Sequence, residues 1–165
     1  MDLEARISRL EDLHEIAQLR ARYCHYLDDG RWDDLVELFT EDGSFVGLST
    51  ATGRDQLRTF FAGLQQGALQ AWWHFSSNET IDLDGDRATG ETWLDQPCVV
   101  DGQAHIAAGR YADRMTRCTD GRWRFEERKV SFFFWSPVDQ GWAPGEFSYA
   151  PASAAADPRT MQRYR

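Results

Sequence analysis

Long apolar runs are missing from this chain. No window approaches eighteen consecutive apolar residues, so no membrane span is expected. The N-terminus, Met1-Asp-Leu-Glu-Ala-Arg6, is acidic and leads into no apolar stretch, so no secretory signal is expected either. Cysteine is scarce. Cys24, Cys98 and Cys118 are odd in number and far apart, which offers no disulfide framework and no zinc spacing; reduced thiols in the cytoplasm fit better. His14, His25, His74 and His105 show no paired spacing and no accompanying carboxylate cluster, so no metal is expected. Gly85, Gly90 and Gly102 sit at hairpins rather than in a phosphate-binding loop, and no serine-nucleophile motif appears. No cofactor is implied. Positive charge is in deficit: 18 Lys and Arg stand against 27 Asp and Glu, for a net charge of −9. That balance disfavours a polyanionic partner such as nucleic acid.

Aromatic rings are what the chain has in quantity. They make up 13% of its 165 residues, with seven Trp and ten Phe. That length suits one domain with a substantial core. So many rings suit either a heavy interior or a pocket for flat, apolar ligands.

Leu3, Ile7, Leu10, Leu13, Ile16, Leu19, Tyr23 and Leu27 recur at steps of three and four, which predicts one amphipathic helix over 3–28. Gly30 supplies its stop. Trp32, Leu35, Val36, Leu38 and Phe39 predict a shorter helix ending near Thr40. Glu41-Asp-Gly43 reads as a turn and 44–48 as a short strand; Gly53-Arg-Asp55 opens a third helix that runs to Leu64. Sheet follows. Trp72–Leu83, Arg87–Val100, His105–Arg117 and Trp123–Trp135 alternate as strands, joined by turns at Asp84-Gly-Asp86, Asp101-Gly102 and Thr119-Asp-Gly-Arg122. Helices first and strands later predict an α+β fold, a cone-shaped barrel in which a curved antiparallel sheet wraps the long N-terminal helix. Residues 1–136 form this domain. Residues 137–165, rich in Pro, Gly and Ala, form a tail expected to pack on the domain or a neighbouring subunit.

The order of elements, with Tyr23-x4-Asp28-x-Gly-Arg-Trp32-Asp-x-Leu35-x3-Phe39-x3-Gly43, resembles the SnoaL-like branch of the nuclear transport factor 2-like fold. Gly53, His74-x3-Asn78, Gly85-Asp-x-Ala88-x-Gly90, Tyr111-x-Asp113 and Asp120-Gly-x-Trp123-x-Phe125 extend the likeness from about residue 5 to residue 136. These are mainly turns, a helix start and core rings, and they specify the family better than the activity. The pair Asp28 and His74 looks like the acid–base dyad of the eliminating members: scytalone dehydratase, lindane dehydrochlorinase and bile-acid 7α-dehydratase. The resemblance implies that the histidine takes a proton, the aspartate holds the histidine and a leaving group departs. Tyr23 matches a tyrosine of the bile-acid enzymes. Those enzymes also carry a second aspartate on a strand corresponding to Thr92–Gln96, where this chain offers Asp95 or Gln96, residues on opposite faces.

On a strand, Trp72, His74, Ser76 and Asn78 share one face, and Trp73, Phe75 and Ser77 the other. A polar set containing rings suits a pocket wall, though a core histidine bonded to a carbonyl is the plainer meaning. Imidazole exchanges protons near neutrality, and a carboxylate on one ring nitrogen fixes its tautomer. Asp28 is the expected partner, although Asp before Gly is ordinary turn chemistry and Asp29 competes. Tyr23 is either a core ring or a donor to substrate oxygen, and Tyr26 is a weaker candidate. Trp72, Asn78, Trp93, Asp95, Gln96, Phe132 and Phe134 are further candidates for substrate contact. Arg110 and Arg128 would bind an oxyanion or carboxylate if they point inward, whereas strand arginines more often face water. The run Val130–Trp135 is apolar on both faces, which argues for burial in a homo-oligomer, dimer or trimer.

These observations converge on a small-molecule lyase without a cofactor, acting on an aromatic, polyketide or steroid-like substrate. Dehydration is the expected outcome, or loss of a small carbon fragment. A polyketide-type cyclase or isomerase would use the same base, and the non-catalytic small subunit of a ring-hydroxylating dioxygenase shares the fold.

Overall fold

The computed structural model describes residues 2–64, 66–67 and 69–139. The tail expectation for 137–165 therefore lies almost wholly outside the described residues. Helix α1 (Leu3–Asp28) begins where the Asp2 carboxylate accepts from the Ala5 backbone N–H at 2.8 Å. Its second half is buried along Ile16, Leu19, Tyr23 and Leu27. The first two turns differ from expectation: Leu3, Ile7 and Leu10 stay exposed at 68%, 47% and 65%. Among the described residues, no helix is long and apolar enough to cross a membrane.

Gly30, at φ 66°, reverses the chain into α2 (Trp32–Val36). This helix is shorter than expected. After Val36 the backbone joins the sheet, with the Phe125 N–H donating to the Leu38 carbonyl at 2.9 Å. Strand β1 (Phe39–Val46) consequently starts before the expected turn, which is an irregularity inside it: the register against the last strand shifts between Phe39 and Ser44. A Cβ on Gly43 would lie 2.8 Å from the Phe125 carbonyl oxygen, so glycine permits that approach. A short β2 (Thr50–Thr52) folds back on β1, and α3 (Arg54–Leu64) follows.

The remaining strands are β3 (Leu69–Trp72), β4 (Phe75–Asp84), β5 (Arg87–Val100), β6 (Gln103–Arg117) and β7 (Trp123–Pro137). The sheet runs β2-β1-β7-β6-β5-β3, with β4 also paired to β5. β4 to β7 form the expected antiparallel meander, but β1 lies parallel to β7. The architecture is a curved sheet against one long helix, α+β as the pattern of elements implies.

At the centre, Tyr23 meets Phe39, Phe61, Tyr111 and Phe125 edge-on, with ring centroids 5.8–6.2 Å apart. Such pairs add about 0.5–1.5 kcal/mol each beyond their buried area. Gly90 closes the sheet against β4: a Cβ there would fall 2.1 Å from the Thr80 carbonyl oxygen and 2.7 Å from an Arg20 nitrogen. Since the obstacle is backbone, Gly90→Ala is expected to cost about 1–3 kcal/mol of stability, measured by urea unfolding.

Candidate active site

The C-terminus of α1 is fastened before it presents its carboxylate. Leu27 is 4% exposed, and the Trp72 indole N–H reaches its carbonyl at 3.4 Å. The next residue, Asp28, then grips His74 twice. One carboxylate oxygen accepts from the His74 backbone N–H at 3.0 Å, and the other meets Nδ1 at 2.5 Å. This contact explains a departure from the sequence pattern. The expected strand from Trp72 to Leu83 is broken at Trp73 and His74, because the His74 N–H is spent on Asp28 rather than on a neighbouring strand. Asp29 is exposed and does not compete.

With Nδ1–H held by the carboxylate, Nε2 is the free acceptor of the ring. The His74 side chain is 7% exposed and lines a cavity with an empty volume of about 430 Å³, part of it open to solvent. Of the sequence candidates, Tyr23, Trp72, Gln96 and Phe132 line the same space. Tyr111, Trp135, Phe45 and Phe60 join them without having been singled out as substrate contacts. Their signal was only an apolar position on some element, which does not distinguish a cavity wall from packed interior.

Several candidates are placed elsewhere. Tyr26 lies outside the cavity lining, stacked under the Arg31 guanidinium at 4.2 Å. Asn78, at φ 52°, sits in a bulge between Ser77 and Thr80 that carries it off the face it was expected to share, and it is exposed. The shared face holds as far as Ser76, whose hydroxyl lies 3.2 Å from the Cys24 sulfur. Trp93 and Arg110 are on the outer face, where the guanidinium covers the indole at 4.6 Å and pairs with Glu91 at 3.2 Å. Asp95 is exposed and Gln96 faces inward, which decides between the two. Phe134 has a side chain outside the described residues. A register irregularity between Ala108 and Gly109 puts one extra residue in β7, so Trp135 joins Phe132 on the cavity wall. Phe133 packs outward on Trp93, with ring centroids 5.2 Å apart.

Arg128 is inward but does not line the cavity. Its guanidinium lies over the rings of Tyr23 at 4.1 Å and Tyr111 at 3.8 Å, and pairs with Asp113 at 3.7 Å. Asp113 in turn accepts from Arg20 Nε at 2.9 Å. Arg128 thus stands behind the two tyrosines and charges their faces. Burial pushes the Tyr23 phenol far above its ordinary value, with Arg128 pulling the other way, so Tyr23 keeps its proton at neutral pH and has a hydrogen bond to offer. Tyr111 is raised by burial in the same manner. Burial also raises the Cys24 thiol, which leaves it a poor nucleophile. Among the described residues, no three His, Cys, Asp or Glu side chains converge as a metal site requires. The arrangement can accept a proton at Nε2 beside a hollow walled largely by aromatic rings.

Known proteins were compared with this chain. Uncharacterized proteins of Mycobacterium tuberculosis and Mycobacterium bovis are 28% identical over 127 residues, covering 74% of this chain and 86% of theirs. Among solved structures, a provisionally assigned scytalone dehydratase from Novosphingobium aromaticivorans is similar at a TM-score of 0.72 and 21% identity, over 83% of this chain and 99% of that one. A hexachlorocyclohexane dehydrochlorinase from Novosphingobium barchaimii gives 0.74 and 18%, over 84% and 99%. An NTF2-like protein of cystatin-like fold from Novosphingobium aromaticivorans gives 0.63 and 29%, over 86% and 91%. At 18–21% identity the likeness to the two named enzymes shows a shared fold. The SnoaL-like domain model matches residues 8–129, three quarters of the chain, and the protein belongs to that family.

Proposed function

We propose that the protein is a lyase that needs no cofactor and eliminates water from a ring-bearing small molecule. His74 Nε2 takes the proton from a carbon made acidic by its neighbours. Asp28 holds the ring in the required tautomer and stabilises the imidazolium that forms. Tyr23 offers a hydrogen bond to the departing oxygen or the developing enolate, polarised by Arg128 against its ring, and the proton carried by His74 passes to the departing hydroxyl, which leaves as water. The observation that carries this reading is the two-point contact of Asp28 with His74 on a cavity wall. A purely structural histidine would have no need of a place on a cavity wall. Two solved structures of like fold carry the names of eliminating enzymes, a scytalone dehydratase and a hexachlorocyclohexane dehydrochlorinase, which supports the same class.

The test is a panel of β-hydroxy ring ketones and aromatic polyols incubated with the protein and followed by mass spectrometry. Loss of one water from a panel member, at a rate proportional to enzyme, is the expected result. Product of unchanged mass carrying solvent deuterium would assign isomerisation or cyclisation instead. Failure of every member, with the protein folded, would count against catalysis by this site.

A further inference from the structure

The wall facing His74 carries one polar group that the acid–base chemistry leaves unused. Gln96 is 3% exposed, between Leu94 and Cys98 on the inward face of β5. Its amide makes no hydrogen bond to any described residue and lines the cavity. A primary amide carries two N–H donors and an acceptor oxygen, and such groups inside proteins are nearly always matched. The cavity wall around it is otherwise ring and aliphatic carbon, broken only by His74 and the two tyrosines.

Strand register places this amide beside the base. Trp72 pairs with Cys98 before the break in the strand and Phe75 with Asp95 after it, so one register runs through the gap. His74 therefore stands directly across from Gln96, both on the cavity side. Opposed residues of neighbouring strands hold their Cβ atoms about 4.5–5.5 Å apart. A molecule in contact with His74 Nε2 is thus within reach of the Gln96 amide.

We propose that Gln96 is the residue that reads the substrate: its Nε2–H donates to a neutral carbonyl oxygen borne by the carbon adjacent to the one His74 deprotonates. This rests on the reading of His74 as base. When the C–H bond breaks, its proton goes to the imidazole, its electron pair forms the new C=C bond, and the carbonyl π pair moves onto oxygen. The Gln96 hydrogen bond strengthens as that oxygen gains charge. The substrate class is accordingly a ring-bearing ketone, enone or lactone. A carboxylate is disfavoured because no Lys or Arg lines the cavity among the described residues, with Arg128 set behind the tyrosines.

The experiment compares binding of 1-tetralone with that of tetralin, its carbonyl-free counterpart, through quenching of Trp72 and Trp135 on the wall. It also records the infrared carbonyl stretch of bound, carbon-13-labelled 1-tetralone. Wild type is expected to prefer the ketone and to shift its stretch to lower frequency. Gln96→Leu is expected to reduce that preference about 3- to 10-fold and to return the stretch towards its value in hydrocarbon. Its melting temperature should hold or rise, since an unmatched amide has been replaced by carbon. Gln96→Met, which keeps the side chain's length, guards against a reshaped pocket and should behave alike. No ketone preference in wild type, or an unchanged preference and stretch in both variants, overturns the proposal. The readout is binding, so it separates from the elimination assay: His74→Ala is expected to stop turnover and keep the preference.

Discussion

His74→Ala is expected to abolish elimination while the protein still folds. The alanine removes the one imidazole that lines the cavity among the described residues, and the loss should reach the level of the uncatalysed reaction. Stability should fall little. Asp28 keeps the His74 backbone N–H as a partner, and its side chain is 19% exposed, so water can replace the lost ring contact. The companion variant, Asp28→Asn, tests the tautomer. An asparagine that accepts from the same backbone N–H turns its NH2 towards Nδ1. Nδ1 must then accept, which moves the ring proton to Nε2 and occupies the lone pair needed for catalysis. A fall of about 10²- to 10⁴-fold in kcat is expected, with KM little changed. Steady-state rates on whichever panel member loses water would measure both. Wild-type rates in either variant would refute the dyad.

Asp113→Leu is expected to have the largest effect on stability. Asp113 is wholly buried and stands between Arg20 at 2.9 Å and Arg128 at 3.7 Å. Removing it leaves two guanidinium groups inside the protein with one carboxylate fewer. Arg128 would keep only ring faces, since none of its nitrogens has a hydrogen-bond partner among the described residues. Breaking a buried ion pair from one side costs about 3–5 kcal/mol. Arg128→Met should cost clearly less, because Asp113 retains Arg20. The double variant, Asp113→Leu with Arg128→Met, should recover part of the loss by removing one stranded cation. Urea unfolding of the three proteins measures the asymmetry. Equal losses for the two single variants would mean that the interior supplies Arg128 with another counter-charge.

The two departures inside the site have one origin. An uninterrupted strand from Trp72 was a fair expectation from alternation, and the alternation itself survives: Trp72 and His74 face in, Trp73 and Phe75 face out. What fails is the backbone hydrogen bonding, taken over by a carboxylate forty-six positions earlier in the chain. Trp135 and Asn78 depart for a related reason. One inserted residue reverses the parity of a strand, and nothing in the residues at either bulge announces the insertion. The candidates Trp93 and Arg110 are a true inward–outward error: both sit on the sheet's outer face, where an arginine beside an indole is as stable as in a pocket.

By itself the sequence determined the order of the three helices and the long strands β5 to β7, the glycine turns between them, the buried stripe of the second half of α1 and a short list of candidates containing Asp28, His74 and Tyr23. These follow from interactions within a turn or two of chain, where side-chain period and glycine's freedom at positive φ dominate. Only the tertiary structure decided that Asp28 rather than Asp29 meets His74, that Gln96 rather than Asp95 faces the hollow, and that Arg128 backs the tyrosines instead of touching a ligand. Those choices depend on strand register and on where bulges fall. A shift of one residue there exchanges the two faces of a sheet, and local preference is the same on either side.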